Sequence, residues 1–212
     1  MSSLSHIDVS ALLPCHTVAS CALPDTTQWV GVIGSRQASL GLRVQAFHLG
    51  ATLACQGRVV VSGLALGVDG SAHAGALSIP EGLTVAILST APTEPVYPRA
   101  HTYLAVRIPN RGALVHPFTG PAVTPLQRTR RFLERDILLG RLVAALVVVA
   151  DTEPITGGSR WATAEALRRG IPVFRLDAAG RFHAQPRVLP AVCDWDPECS
   201  LLQTAEFTGD RS

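Results

Sequence analysis

A chain of 212 residues with 47% hydrophobic and 16% charged side chains is long enough for one core-rich domain and too apolar to be disordered. A net charge of +2 excludes a uniformly basic or acidic coat, and the longest apolar run, Leu142 to Ala150, is far below the roughly 20 residues that span a bilayer. No basic stretch precedes an apolar one at the N-terminus, so a cytoplasmic protein without a membrane segment is expected.

Residues 1 to 27 follow no regular pattern and read as an N-terminal extension, with Met1 to Ser10 expected to fray. The core, residues 28 to 177, opens with a strand at Trp29 to Ile33, the turn Gly34-Ser35-Arg36 and a helix near Ser39 to Gln56. A second strand, Arg58 to Ser62, carries the β-branched run Val59-Val60-Val61 that a doubly covered strand requires. It breaks into "SGLALG", Ser62 to Gly67, and a helix near Gly70 to Ser78 that Asp69 or Ser71 would cap. Then follow a strand at Leu83 to Leu88, a helix at His101 to Arg107 and a strand at Ala113 to Phe118. The core closes with a helix at Leu126 to Arg141, a strand at Ala144 to Val149, a helix at Trp161 to Arg169 and a strand at Pro172 to Leu176. Residues 178 to 212, rich in proline and acidic groups, read as a C-terminal extension whose last residues, Gly209 to Ser212, fray.

Continuous apolar strands joined by helices imply an α/β fold: an open, mostly parallel sheet of about six strands with helices on both faces. In such sheets ligands bind beyond the carboxyl ends of the strands, where neighbouring helices depart in opposite directions. Three glycine turns fall on that edge: Gly34, Ser35 and Arg36; Ser62, Gly63, Leu64, Ala65 and Gly67; and Gly157, Gly158, Ser159 and Arg160. Such turns leave backbone N–H groups unshielded, which suits an anion. All 18 basic side chains are arginine, the better phosphate fork. Between Arg99 and Arg141 eight arginines face only Glu134 and Asp136, a local excess of +6. Arg128, Arg131 and Arg135, at i, i+3 and i+7, are expected to put three positive charges on one helix face for a phosphate-bearing partner. Trp161 either stacks on a base or covers the top of the sheet, and Phe132 is the other candidate for stacking. His73, four residues after Asp69, reads as a structural histidine or as a base oriented by a carboxylate. The five cysteines, Cys15, Cys21, Cys55, Cys193 and Cys199, lack zinc-ligand spacing and read as ordinary thiols, so no metal site is expected.

With these residues in view, the chain resembles the DNA-processing protein A family, also called Smf, within a Rossmann-like group that includes the lysine-decarboxylase-like phosphoribohydrolases. "VIGSR" at Val32 to Arg36 and "SGLALGVDGSAHAGAL" at Ser62 to Leu77 match that family's two signatures, and the likeness extends over about 150 of the 212 residues. The resemblance implies a protein without catalytic turnover or cofactor. Such a protein grips single-stranded DNA during DNA uptake and recombination, forms a homodimer, and loads a RecA-type recombinase. Two positions depart from the pattern. The family's "RNR" is Arg135-Asp136-Ile137 here, and "SGSLITA" is replaced by Gly157 to Ala164, one residue longer, with Arg160 and Trp161 inside it. Two alternatives stay open: a non-catalytic sensor of a nucleotide-derived small molecule, and a nucleoside monophosphate phosphoribohydrolase that would use Glu165.

Overall fold

The computed structural model describes residues 16–184 and the backbone of His6–Ile7. Cys15, Cys193, Cys199 and both stretches expected to fray lie outside the described residues, apart from that dipeptide's backbone. In chain order the strands are β1 (His6–Ile7), β2 (His16–Ala19), β3 (Leu23–Pro24), β4 (Trp29–Gly34), β5 (Val59–Ser62), β6 (Leu83–Ile87), β7 (Gly112–His116), β8 (Ala145–Val149), β9 (Val173–Leu176) and β10 (Phe182–Ala184). The α-helices are α1 (Leu40–Cys55), α2 (Val68–Ser78), α3 (Thr102–Arg107), α4 (Pro125–Leu142) and α5 (Ser159–Arg168).

The main sheet has eight strands in the order β10-β9-β8-β4-β5-β6-β7-β2. The six expected strands form its parallel centre, whose valine-rich runs are buried on both faces. The two additional strands come from the extensions: β2 pairs antiparallel with β7, and β10 with β9. They cover edges that the parallel units leave open, and at four and three residues they are too short to declare themselves by periodicity. β1 and β3 form a separate antiparallel ribbon.

Two layers of helix clothe the sheet. α1 and α2 seal one face, where Val30, Val32, Val60 and Val147 meet Leu49, Leu53, Val68 and Ala72. α4 and α5 seal the other, where Ile33, Leu146 and Val148 meet Leu139, Ala162 and Ala166. α3 closes a third cluster around Leu64, Leu88 and Leu104. Among the described residues no helix is long and apolar enough to cross a membrane.

The order of the strands sets the position of the site. From β4 the chain steps through β5 and β6 to β7, and α4 then carries it back to β8 on the opposite side of β4. The helices therefore part company at the carboxyl ends of β4 and β8, which opens a crevice there. α4 starts at that edge because "TPLQ" is a helix-start signal. Thr124 Oγ1 accepts from the Gln127 N–H at 3.2 Å, Gln127 Oε1 accepts from the Thr124 N–H at 3.0 Å, and Pro125 occupies the first turn.

Candidate functional site

The first two glycine loops lie side by side. The Val68 N–H donates to the Ser35 carbonyl at 3.3 Å, and Gly67, at φ +77°, sits where any side chain would overlap that carbonyl. This contact holds Ser35 and Arg36 at the mouth of the crevice. Ser35 Oγ accepts from the Gln37 N–H at 3.0 Å, which fixes the turn. Arg36 is exposed, pairs with no carboxylate among the described residues, and lays its guanidinium over the Phe132 ring, 4.5 Å from the centroid. Tyr97 flanks the same ring at 5.7 Å.

The second loop is built differently from the expected phosphate cradle. Ser62, Gly63 and Leu64 are buried, and the Ser62 hydroxyl donates to the Val32 carbonyl at 2.6 Å. The Gly63 and Ala65 amides both donate to Asp69 Oδ2 at 3.2 Å. The loop's anion is thus its own carboxylate, and Leu64, at φ +59°, points into the core. Asp69 closes this loop instead of capping α2, whose N-cap, Gly67, has no side-chain bond.

Below the loop lies a buried charge cluster. Arg135, only 3% exposed, packs its guanidinium against Gly63, where a side chain would collide with it. Its Nε is 2.9 Å from Asp136 Oδ1 and its Nη1 is 3.8 Å from Asp69 Oδ2. One guanidinium therefore faces two carboxylates. Burial raises Asp69 above the usual carboxylate range, with Arg135 opposing. Asp136 is pushed up to about 6, chiefly by burial, with Asp69 adding to the rise and Arg135 and Arg36 opposing it. Its Oδ2 is turned toward Gly158, where a Cβ would stand 2.8 Å away.

The expected three-arginine face of α4 is therefore corrected. Arg135 is spent beneath Gly63. Arg131 donates to Glu94 Oε2 at 2.9 Å and to the Gly120 carbonyl, and lies 4.7 Å over Phe118, so it clasps the loop ahead of α4. Arg128 alone of the three is exposed and unpaired among the described residues. Helical spacing put the three on one side, but it could not show which of them the protein's own carboxylates consume.

In the third loop Gly157 and Gly158 are exposed, Gly157 at φ +66°, and α5 starts at Ser159. Arg160 lies 4.8 Å over the partly exposed Trp161 ring, so both stand at the carboxyl edge. Glu165 is elsewhere: it takes Arg141 Nε at 2.7 Å and Arg168 Nε and Nη2 at 2.8 Å, and these arginines, Arg168 foremost, hold it down to about 2. His73 is buried and structural. Thr84 commits its hydroxyl proton to the Val60 carbonyl at 2.7 Å, so it must accept from His73 Nδ1 at 2.7 Å, and burial drives the imidazole down to about 3. Cys21 and Cys55 are free thiols.

A second concavity of about 420 Å³ lies between α1, α2 and α3, with Arg36, Arg43, Phe47, Leu66, His101 and Tyr103 in its wall. It is invisible in the sequence, because its rings come from segments far apart in the chain.

The family model of DNA recombination-mediator protein A matches residues 19–185. A putative DNA processing protein DprA from Mycobacterium tuberculosis is 41% identical over 154 residues, 70% of this chain and 38% of that protein. DNA processing protein DprA of Bacillus subtilis is 29% identical over 149 residues, 69% of this chain and 47% of that protein. The chain thus spans less than half the length of these curated relatives. In three dimensions it is similar to DNA processing protein A from Helicobacter pylori, a protein described for its single-stranded DNA binding mode. The TM-score is 0.62 at 24% identity, covering 76% of this chain and 71% of that one, a likeness of fold.

Proposed function

The chain belongs to the DNA recombination-mediator protein A family, and from that premise we propose that it grips single-stranded DNA, without catalytic turnover, in the crevice beyond β4 and β8. The observation that carries this reading is Arg36, an unpaired guanidinium stacked on Phe132 where the first two loops meet. A guanidinium forks a phosphate and an aromatic face takes a base, and together they hold a strand without reading its sequence. Arg128 and Arg160, at the first turns of α4 and α5, stand on the same edge and add positive charge. Gly34, Ser35, Gly157, Gly158 and Ser159 shape the entrance. Ser62, Gly63, Leu64, Ala65, Gly67, Arg131 and Arg135 support it from within. Hand-over of the strand to a RecA-type recombinase and assembly as a homodimer belong to the same proposal and rest on the family.

A titration of labelled oligo-dT tests it. Arg36→Ala should weaken binding by about 1.5 to 3 kcal/mol, the scale of a charge-assisted contact, with melting unchanged. Absence of strand binding at low salt, with a mononucleotide retained by the purified protein, overturns the reading in favour of a small-nucleotide sensor.

A further inference from the structure

The groove between α1, α2 and α3 is left without a role by the crevice, although Arg36 belongs to the walls of both. Its chemistry is distinctive. Arg36 and Arg43 supply two guanidinium groups, neither paired with a carboxylate among the described residues. No acidic side chain lines it, because Asp69, the acidic residue in the first turn of α2, turns its carboxylate inward to Gly63 and Ala65. Apart from Ser71 and His101 the remaining wall is largely apolar, and its large side chains are open to solvent: Phe47 is 36%, Leu66 44% and Tyr103 54% exposed. His101 braces this wall. Its Nδ1 donates to the Leu64 carbonyl at 2.8 Å, its ring lies over Gly70, and Tyr103 meets that ring edge-on at 6.2 Å. Cationic forks beside exposed aromatic faces, with no counter-charge, complement a phosphate backbone carrying splayed bases and do not complement an acid-free apolar peptide. The volume is that of an ordinary small-ligand site, enough for a nucleotide.

We infer that this groove is a second nucleotide subsite: a single strand seated at Arg36 and Phe132 runs past Arg36 into it, placing a base against Tyr103 or Phe47 and a phosphate at Arg43. The inference rests on the reading of the crevice as a strand-binding site. It adds that the footprint is longer than the crevice and that distal bases contribute to affinity.

Fluorescence anisotropy with the full chain and oligo-dT of graded length separates the two ideas. Strands of about 4 nucleotides fill the crevice alone, and strands of about 12 reach the groove, within the footprint range of single-strand binders. The parent protein should bind the longer strand more tightly. Tyr103→Ala should weaken the longer strand about tenfold and leave the shorter one unchanged. Arg43→Ala should lower the log–log salt slope for the longer strand by about 0.7, one phosphate's worth. Replacing the terminal bases by abasic sites, at each end in turn, should reproduce the Tyr103→Ala loss at one end, and the two changes should not add. Both side chains are exposed, and unchanged melting checks that the variants are folded. Equal affinity of the parent for both lengths, or longer-strand binding unaffected by both variants, overturns the subsite and leaves the crevice standing. Failure of the parent to bind either strand overturns both.

Discussion

Asp136→Asn removes one negative charge from a cluster in which Arg135 alone answers Asp69 and Asp136. The native carboxyl titrates near 6, against about 3.8 in the unfolded chain, so it is ionised at pH 7.5 and mostly protonated at pH 5. The fold binds that proton more tightly than the unfolded chain does. The stabilisation this brings is complete below about pH 4 and is lost as pH rises through 6. Keeping the carboxylate ionised at neutral pH costs the fold about 3 kcal/mol. Asparagine avoids that cost, in which the attraction of Arg135 is already counted, but buries an amide whose own hydrogen bonds must be met. A net gain of about 1 to 2 kcal/mol is expected at pH 7.5, a melting rise of about 3 to 6 °C for a domain of this size. The same charge opposes a bound strand: the Asp136 carboxylate lies close enough to Arg36 to interact with it electrostatically, so a phosphate held at Arg36 is repelled by about 1 kcal/mol. The variant should therefore bind oligo-dT about fivefold more tightly than the parent at pH 7.5, with the advantage gone at pH 5. Anisotropy and thermal melting at the two pH values measure both effects. A variant that melts lower at pH 7.5, or an affinity ratio that does not change with pH, refutes the reasoning.

Gly63→Ala should be strongly destabilising, because it drives the Arg135 guanidinium from between its carboxylates; a loss of about 3 to 5 kcal/mol is expected, and an unchanged urea midpoint contradicts it. Glu165→Gln should cost only about 1 kcal/mol, since its arginine partners are half exposed, and should leave oligo-dT affinity untouched. Because the arginines depress Glu165 to about 2, its contribution is present above about pH 4.5 and lost as pH falls toward 2, where variant and parent should melt alike. A folded Glu165→Gln protein that loses strand binding would place this residue in the site after all.

The parallel centre of the fold was legible because buried strands write themselves as runs such as Val59-Val60-Val61. The edge strands were not, since His16–Ala19 and Phe182–Ala184 carry no pattern longer than a turn and are defined only by β7 and β9 beside them. The three loops announced themselves through glycine, yet glycine does not say which way an amide points. At Gly63 it makes room for Arg135, and its own N–H, with that of Ala65, serves Asp69. Likewise the charge of Arg131 was visible in sequence, but its neutralisation by Glu94, 37 residues away, depends on tertiary structure. Arg36 stays exposed and forms no ion pair among the described residues, because Asp136, the acid nearest in effect, is paired with Arg135 Nε.

The most direct test of strand gripping is the salt dependence of oligo-dT affinity, measured from about 50 to 300 mM monovalent salt. With Arg131 and Arg135 consumed internally, Arg36, Arg128 and Arg160 can neutralise about two to three phosphates of a strand short enough to stay in the crevice, which predicts a log–log slope of roughly −1.5 to −2. A slope near zero, or no binding at the lowest salt, would contradict the proposal that the Arg36 edge of this sheet holds a phosphate backbone.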